Sequence, residues 1–285
     1  MNQKMNYKII LDSCGEIPEK LKGNTQLTNV ALMIHIGEET ITDDDTFDQA
    51  SFLQKVAAYP TSPKSSCPSP DSYMKLFEGD EDCIFIVTLS AELSGSYSCA
   101  ELSVDLYREE HEDDEKKIYV FNSKSASCGE TQIALKIMEC VDAGMDYDEL
   151  VAEVEQYIAE MRTYFVLETL EHLRKNGRLT GMKAFVASTL NIKPVMGSTD
   201  EGAIQQLVQA RGINKALQKM LDLIQKNTPD AAMKRLAIAH CNCKERALFI
   251  QDEINKRMKV KDIIIMDTAG ISSLYAGDGG IIVTI

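Results

Sequence analysis

Cys83-Ile84-Phe85-Ile86-Val87-Thr88-Leu89 is an almost unbroken apolar run in which β-branched side chains are frequent. A run of this length and composition is typical of a strand buried on both faces of a parallel sheet. The turn Leu93-Ser94-Gly95-Ser96-Tyr97 comes next, and helical spacing then extends over residues 97–107. Strand, serine-bearing turn and helix, in this order, form the repeating unit of an α/β fold.

The rest of the N-terminal half alternates strands and helices in the same way. Further strands are predicted at residues 7–11, 27–36 and 117–121, and helices at residues 18–22, 46–57, 71–77, 130–143 and 148–162. This alternation predicts an α/β domain with a mostly parallel sheet. Ligands of such sheets bind beyond the carboxyl ends of the strands, where the serine-rich turns of this chain are expected.

The C-terminal half has a different pattern, which begins with a hairpin around Ser198-Thr199-Asp200-Glu201-Gly202. Other strands are predicted at residues 163–167, 236–240, 263–267 and 281–285, and helices at residues 170–175, 183–190, 213–226 and 245–258. We therefore predict two domains: an α/β domain over residues 1–162, and an α+β domain with a mainly antiparallel sheet over residues 163–285.

Charge and composition exclude several classes of partner. The formal net charge of −14 argues against nucleic acid and anionic membrane surfaces as general partners. No stretch approaches the roughly 20 apolar residues of a membrane span, and the N-terminus lacks the features of a secretory signal. We expect a cytoplasmic protein without an integral membrane segment.

Basic residues are nevertheless concentrated in one segment. Between residues 170 and 215 there are seven Lys or Arg and three acidic residues. The excess predicts a local anion site or a docking patch, although an uneven solvated face is the alternative.

Two serine-bearing turns are the main candidates for a binding site. Ser65-Ser66-Cys67-Pro68-Ser69-Pro70 and Leu93-Ser94-Gly95-Ser96-Tyr97 each precede a predicted helix, so hydroxyls and free backbone N–H groups gather where an anion is favoured. No histidine context suggests a base for a serine nucleophile, and Gly-x-Ser-x-Gly and phosphate-binding loop motifs are absent. We expect the anion to be held rather than broken down.

Three other groups of residues have competing interpretations. Arg211 lies between a strand and a helix and could pair with a carboxylate, or be an exposed residue at a helix start. His240-Cys241-Asn242-Cys243 lacks a second ligand cluster at zinc-site spacing, so we interpret it as a strand end and predict no metal. Asp43-Asp44-Asp45 is interpreted as a solvated turn, followed by a capping box of Thr46 and Gln49.

Seven segments, in order and spacing, resemble the DegV family from about residue 7 to the C-terminus. They are Asp12-Ser13 with Ile17-Pro18, the two serine turns, Asn122-Ser123-Lys124-Ser125-Ala126-Ser127, Leu167-Glu168-Thr169-Leu170-Glu171-His172-Leu173-Arg174-Lys175-Asn176-Gly177-Arg178, Leu190-Asn191-Ile192-Lys193-Pro194 and Arg211-Gly212. The resemblance implies a long-chain fatty acid buried between two domains. Family members are acyl-binding subunits of bacterial fatty acid kinase or lipid carriers, and a separate ATP-binding subunit phosphorylates the bound carboxylate.

The resemblance also implies roles for particular residues. Ser65 or Ser66, Ser94 and the Gly95 N–H would hold the carboxylate, and Arg211 would face the carboxylate or the kinase partner. It implies no catalytic residue and no cofactor other than the bound fatty acid.

One part of the site departs from the family pattern. The segment 269–279 replaces the common Gly-Pro-Val-Ile-Gly-Thr-His-x-Gly-Pro-Gly, so that Tyr275 stands where the family has histidine and Asp278 where it has the second proline. A phenol can donate a hydrogen bond but cannot become cationic, which puts coupling to a kinase in question.

Three alternatives therefore stay open. The chain could be an acyl esterase that uses Ser94, or a regulatory lipid-binding protein without kinase coupling. A nucleic-acid regulator is the weakest alternative because of the net charge.

Overall fold

The computed structural model of the protein describes residues 5–179 and 191–285. The strands in chain order are β1 (Tyr7–Asp12), β2 (Leu27–Val30), β3 (Met33–Ile36), β4 (Glu39–Thr42), β5 (Lys64–Ser66), β6 (Cys83–Thr88), β7 (Lys117–Asn122), β8 (Thr163–Val166), β9 (Ile192–Ser198), β10 (Ile204–Arg211), β11 (Arg235–His240), β12 (Asp262–Asp267) and β13 (Ile281–Thr284). The helices are α1 (Gln49–Ala58), α2 (Pro70–Met74), α3 (Ser96–Glu110), α4 (Cys128–Asp142), α5 (Tyr147–Glu160), α6 (Glu171–Lys175), α7 (Ile213–Asn227), α8 (Lys244–Arg257) and α9 (Gly270–Ala276).

The first sheet is entirely parallel and has the strand order β2-β1-β6-β7. Every residue of β6 is buried, as the apolar run from Cys83 predicts. Helices cover both faces, with α4 and α5 on one side and α2 and α3 on the other. The predicted parallel sheet of the N-terminal half is confirmed.

The prediction of a single strand over residues 27–36 is wrong. β2 belongs to the parallel sheet, whereas β3 joins β4 and β5 in a small antiparallel sheet. The backbone of Leu32 explains the break, because its N–H donates to Ser13 Oγ (2.9 Å) and its carbonyl accepts from the N–H of Asp43 (3.0 Å). Neither group is left to continue the pairing with β1.

The second sheet has the order β10-β9-β8-β13-β11-β12. All neighbouring strands are antiparallel except β11 and β12, which are parallel and flank α8 in the chain. This confirms the predicted α+β pattern with a mainly antiparallel sheet. The helix predicted at residues 183–190 lies outside the described residues, as does Leu190 of the family motif.

Helix α4 lies between the two large sheets. It packs against β1 and β6 on one side and against β11 and β13 on the other. The Gln132 amide donates to the backbone oxygens of Arg235 and Thr284, each at 3.1 Å. Every residue of α4 from Cys128 to Leu135 is buried, polar ones included, as this position between two sheets requires.

No helix in the described parts of the chain has the length and hydrophobicity that crossing a membrane requires.

Candidate functional site

The two serine-bearing turns lie side by side. Ser65 is on β5, which pairs with β3, and Ser94 and Gly95 lead into α3. A Cβ atom placed on Gly95 would lie 3.3 Å from Cys67 Sγ, so the Cys67 side chain lies against the backbone of the second turn. The first turn differs from expectation in one respect: it follows the small antiparallel sheet, not a carboxyl end of the parallel sheet.

Ser65 meets Tyr275 in this region. The two hydroxyl oxygens are 2.8 Å apart, and both side chains are half-buried. Either hydroxyl can donate, so the pair can offer its hydrogens to an acceptor that lies between or beside them. Tyr275 comes from the last turn of α9, which places it opposite β5.

Ser66 points away from this pair. Successive side chains of a strand face opposite sides, and Ser66 Oγ accordingly lies 3.0 Å from His35 Nε2 on the exposed side of the small sheet. Of the two hydroxyls of β5, the structure brings only that of Ser65 to Tyr275.

Ser94 and Gly95 form the entry to α3. Ser94 is half-buried and its Oγ accepts from the N–H of Ser96 at 3.2 Å, while Gly95 is exposed at the helix start. The buried carboxylate of Asp12 holds this entry in place, because it accepts from Ser96 Oγ (2.6 Å) and from the N–H of Leu89 (2.9 Å). Burial raises the pKa of Asp12, whereas these hydrogen bonds lower it.

An apolar cavity lies behind Tyr275. It contains about 740 Å³ of space free of atoms, part of it open to solvent. Strands of the second sheet and the loops that follow β1, β6 and β7 of the first sheet contribute to its wall. The apolar wall includes Leu89, Leu93, Phe165, Leu167, Leu173, Ile204 and Ile282. Tyr275 and Arg178 line the same cavity, so its wall reaches the Ser65–Tyr275 pair.

Arg178 is a functional candidate that we did not single out from the sequence. Its guanidinium carbon lies 5.5 Å from the centre of the Tyr275 ring, and its Nε donates to the carbonyl of Leu93 at 3.1 Å. The Asn176 amide anchors this segment by donating to Ser62 Oγ and the Pro63 carbonyl. The sequence did contain a signal for this residue, since Arg178 is the last residue of the family motif that starts at Leu167.

Arg211 lies apart from these groups. It ends the edge strand β10 opposite Ile192. Its side chain is exposed and makes no hydrogen bond or ion pair with the described residues. Arg211 is not one of the described residues that line the cavity. Asp278 is also exposed, and its carboxylate accepts a hydrogen bond from the Asn242 amide at 3.0 Å.

Asp43 is buried, so its interpretation as part of a solvated turn is wrong. Its carboxylate accepts from the N–H groups of Gly270 (2.6 Å) and Ile271 (2.9 Å) and thereby caps α9. Burial raises the pKa of Asp43 to about 6. Its position at the start of α9 makes it a support for Tyr275 at the other end of that helix.

The predicted capping box of Thr46 and Gln49 is also wrong. Asp48 caps α1 by accepting from the N–H of Ser51 at 2.9 Å. The Gln49 amide instead donates to Thr268, across to the loop before α9.

His240 ends β11 and is followed by a turn in which Asn242 has a φ of 51°, which agrees with the interpretation of a strand end. Within residues 5–179 and 191–285, no group of three or more His, Cys, Asp or Glu side chains is arranged to hold a metal ion.

Comparison with known proteins agrees with this architecture. The DegV family model, described as an uncharacterised protein of the DegV family, matches residues 6–285. A DegV domain-containing protein of Streptococcus pneumoniae is 33% identical over 282 residues, which are 98% of each chain.

Two solved structures are similar over nearly their whole length. A DegV family protein from Ruminococcus gnavus with vaccenic acid is 53% identical, with a TM-score of 0.95 over 99% of this chain and 100% of that chain. The Fatty Acid Kinase B3 protein of Streptococcus pneumoniae, loaded with linoleic acid, is 31% identical, with a TM-score of 0.87 over 98% and 99% of the two chains. With a family model that covers the chain from residue 6 to its last residue, the protein belongs to the DegV family.

Proposed function

We propose that this protein binds a long-chain fatty acid, with the acyl tail in the cavity between the second sheet and the loops that follow strands of the first sheet, and with the carboxylate at the serine turns. One observation carries the proposal: an apolar cavity reaches the hydroxyl pair of Ser65 and Tyr275 and the guanidinium of Arg178. A fatty acid matches this arrangement, because it has an apolar tail and one anionic end.

The energetics favour a long chain. Burying a methylene contributes roughly 0.8 kcal/mol, so a long acyl chain supplies on the order of 10 kcal/mol. The tail then supplies most of the affinity, and a few hydrogen bonds are enough to orient the head group.

We assign the head group to Ser65, Ser94, the Gly95 N–H and Tyr275, and add Arg178. Three hydroxyls and a helix-start N–H can donate to a carboxylate, and Arg178 supplies the positive charge that Tyr275 lacks. Ser66 is left out because it faces His35. Because Arg211 is exposed, we propose it for contact with a partner and not with the carboxylate.

We further propose that the protein presents this carboxylate to a separate ATP-dependent kinase subunit. The likeness to Fatty Acid Kinase B3 at 31% identity supports this role. Tyr275 and Ser65 are half-buried, so the head group would lie close enough to the surface for a partner to reach it.

The surroundings of Ser94 favour binding over hydrolysis. Its oxygen accepts from the N–H of Ser96, and the serine–histidine contacts in the described parts are those of Ser66 with His35 and Ser62 with His172. No histidine described here is placed to activate Ser94, so an esterase role has little support.

The domain boundary at residue 162 and a cytoplasmic location are also proposals. The boundary is supported by α5, which ends at Glu160 and packs on α4, and by β8, which starts in the second sheet at Thr163. The location is supported by eight unpaired cysteines, since such thiols persist in a reducing compartment.

Extraction of the purified protein tests the main proposal. We expect mass spectrometry of the denatured, extracted protein to detect a co-purifying fatty acid, and added fatty acid to bind saturably. Absence of both would refute the proposal.

A second measurement compares Ser94→Ala with Ser69→Ala, and we expect only the first to weaken fatty acid binding. Equal affinities of the two variants would count against the assigned site.

Kinase coupling has its own test. The loaded protein is mixed with ATP and the fatty acid kinase subunit of the same organism, and acyl-phosphate is measured. Formation of acyl-phosphate supports presentation of the carboxylate, whereas tight binding without acyl-phosphate favours a regulatory lipid-binding protein.

A further inference from the structure

Two cysteine thiols meet beside the head-group site. Cys67 Sγ and Cys99 Sγ are 3.6 Å apart, and both side chains are half-buried and within reach of small solutes. Cys67 follows Ser65 by two residues, and Cys99 lies in the first turn of α3, close after Ser94 and Gly95. No other cysteine pair in the described parts of the chain is in sulfur–sulfur contact.

We propose that Cys67 and Cys99 are a thiol–disulfide pair, oxidised by a hydroperoxide, whose disulfide joins the two serine turns and weakens the hold on the carboxylate. The first half of this proposal depends only on the two thiols. The second half rests on the proposed fatty-acid site.

The surroundings give the two sulfurs different roles. Burial, together with the contact to Cys67, raises the pKa of Cys99 to about 11, so Cys99 remains a thiol near neutral pH and can donate its hydrogen to Cys67. Cys67 Sγ also lies against Gly95, at the start of α3, where backbone N–H groups favour negative charge. Both effects make Cys67 the nucleophile and Cys99 the resolving thiol.

The reaction proceeds in two balanced steps. The Cys67 thiolate attacks the terminal oxygen of the hydroperoxide, the O–O bond breaks, and an alcohol leaves after taking up a proton, so that Cys67 becomes a sulfenic acid. The sulfur of Cys99 then attacks Cys67 sulfur, the S–O bond breaks, and hydroxide leaves as water with the proton of Cys99. The two thiols lose two electrons, and the hydroperoxide gains them.

Geometry links the disulfide to the ligand site. A disulfide bond is about 2.05 Å long, so the sulfurs must approach each other by about 1.5 Å from their present 3.6 Å. Because Cys67 is so close to Ser65, this movement would shift the Ser65 hydroxyl relative to Tyr275, from which it is now 2.8 Å. The carboxylate would then lose one of its donors.

Peptide mapping tests the pair itself. The full-length protein is treated with hydrogen peroxide, the remaining thiols are alkylated, and the digest is analysed by mass spectrometry without reduction. We expect a cross-linked peptide pair containing Cys67 and Cys99, two hydrogens lighter than the sum of the free peptides and cleaved by dithiothreitol. Cys243→Ser is the matched control, since Cys243 is half-buried but has no neighbouring cysteine sulfur in contact, and it should leave the cross-link unchanged.

Cys67→Ser and Cys99→Ser should each abolish the cross-link. Separate alkylation of Cys67 and Cys99 after peroxide treatment, or their separate oxidation to sulfinic acids, would overturn the proposal.

Binding measurements test the second half. We expect oleate to bind the oxidised protein about threefold to tenfold more weakly than the reduced protein, the factor associated with one lost hydrogen bond. Dithiothreitol should restore the affinity, and peroxide should leave the affinity of Cys67→Ser unchanged, because this variant lacks the thiol that is oxidised first. Equal affinity of a cross-linked and a reduced sample overturns the link to the ligand. Failure of both samples to bind oleate contradicts the proposed function instead, and leaves the disulfide result standing.

Discussion

The hydroxyls of Ser65 and Tyr275 are the central polar groups of the proposed site. They lie 2.8 Å apart beside an apolar cavity, although Tyr275 replaces a residue that can become cationic in related sequences. Arg178, stacked over the Tyr275 ring, restores a positive charge from a different element. A positive charge therefore lies beside Tyr275, although the phenol itself cannot become cationic.

The neighbouring serines of β5 give a matched pair of variants. We expect Ser65→Ala to weaken fatty acid binding by about threefold to tenfold, because one hydrogen bond contributes about 0.5–1.5 kcal/mol. Ser66→Ala should leave binding unchanged, since its hydroxyl is bonded to His35. Isothermal titration with one fatty acid measures both, and a larger effect at Ser66 would contradict the orientation of β5.

Glu16 provides a test by pH. It is buried, Ser127 Oγ donates to both of its oxygens, and burial raises its pKa from 4.5 to about 7. The folded protein therefore holds a proton that the unfolded chain releases between these pH values. Glu16 by itself should therefore lower the free energy of unfolding by about 3 kcal/mol as pH rises from below 4.5 to above 7.

Glu16→Gln should remove this contribution. Urea unfolding at pH 5 and pH 8 should show a smaller loss of stability for the variant than for the parent protein. Glu19→Gln, at an exposed position in the following turn, is the control and should change nothing. An identical loss in Glu16→Gln and the parent would show that Glu16 is ionised in the folded state throughout this range.

At the scale of elements, α9 shows how distant parts of the chain define the site. The helix is only seven residues long, and its first N–H groups bond to Asp43 on the loop after β4. Its last turn carries Tyr275. Ile271 and Leu274 pack the helix into the core, and Asp43 fixes its N-terminal end.

Asp43→Ala should therefore affect both stability and binding. Loss of an N-cap costs about 0.5–2 kcal/mol, and the buried N–H groups of Gly270 and Ile271 would be left without partners. We expect a lower thermal midpoint and weaker fatty acid binding. Asp48→Ala removes the cap of α1 and should lower stability alone, so equal loss of binding in both variants would contradict a role of α9 in placing Tyr275.

At the scale of the whole molecule, α4 connects the two large sheets. Gln132 donates to backbone oxygens of β11 and β13 and accepts from the Tyr157 hydroxyl at 2.9 Å. Arg235 of β11 also pairs with Glu139 of α4. These contacts make the two sheets parts of one packed unit.

Gln132→Met tests this connection. The substitution keeps the size of the side chain but leaves buried backbone oxygens unpaired, at a cost of about 1–3 kcal/mol for each group. We expect a lower midpoint with a single urea transition. Gln156→Met, at an exposed position of α5, should stay within about 0.5 kcal/mol of the parent. Two separate transitions in the parent protein would contradict a shared core.

The parallel sheet and the hairpin of β9 and β10 could be predicted because each follows from a pattern within a few tens of residues. The family could be predicted from the order of short motifs along the chain. The contact of Ser65 with Tyr275 joins residues 210 positions apart, and the cap from Asp43 to Gly270 spans 227. The break after β2, the inward side of β5 and the place of Arg178 likewise depend on partners far along the chain. Such contacts depend on how the packed elements meet, which local spacing does not encode. The packing of elements distant along the chain therefore sets which hydroxyls and which arginine surround the proposed head-group site.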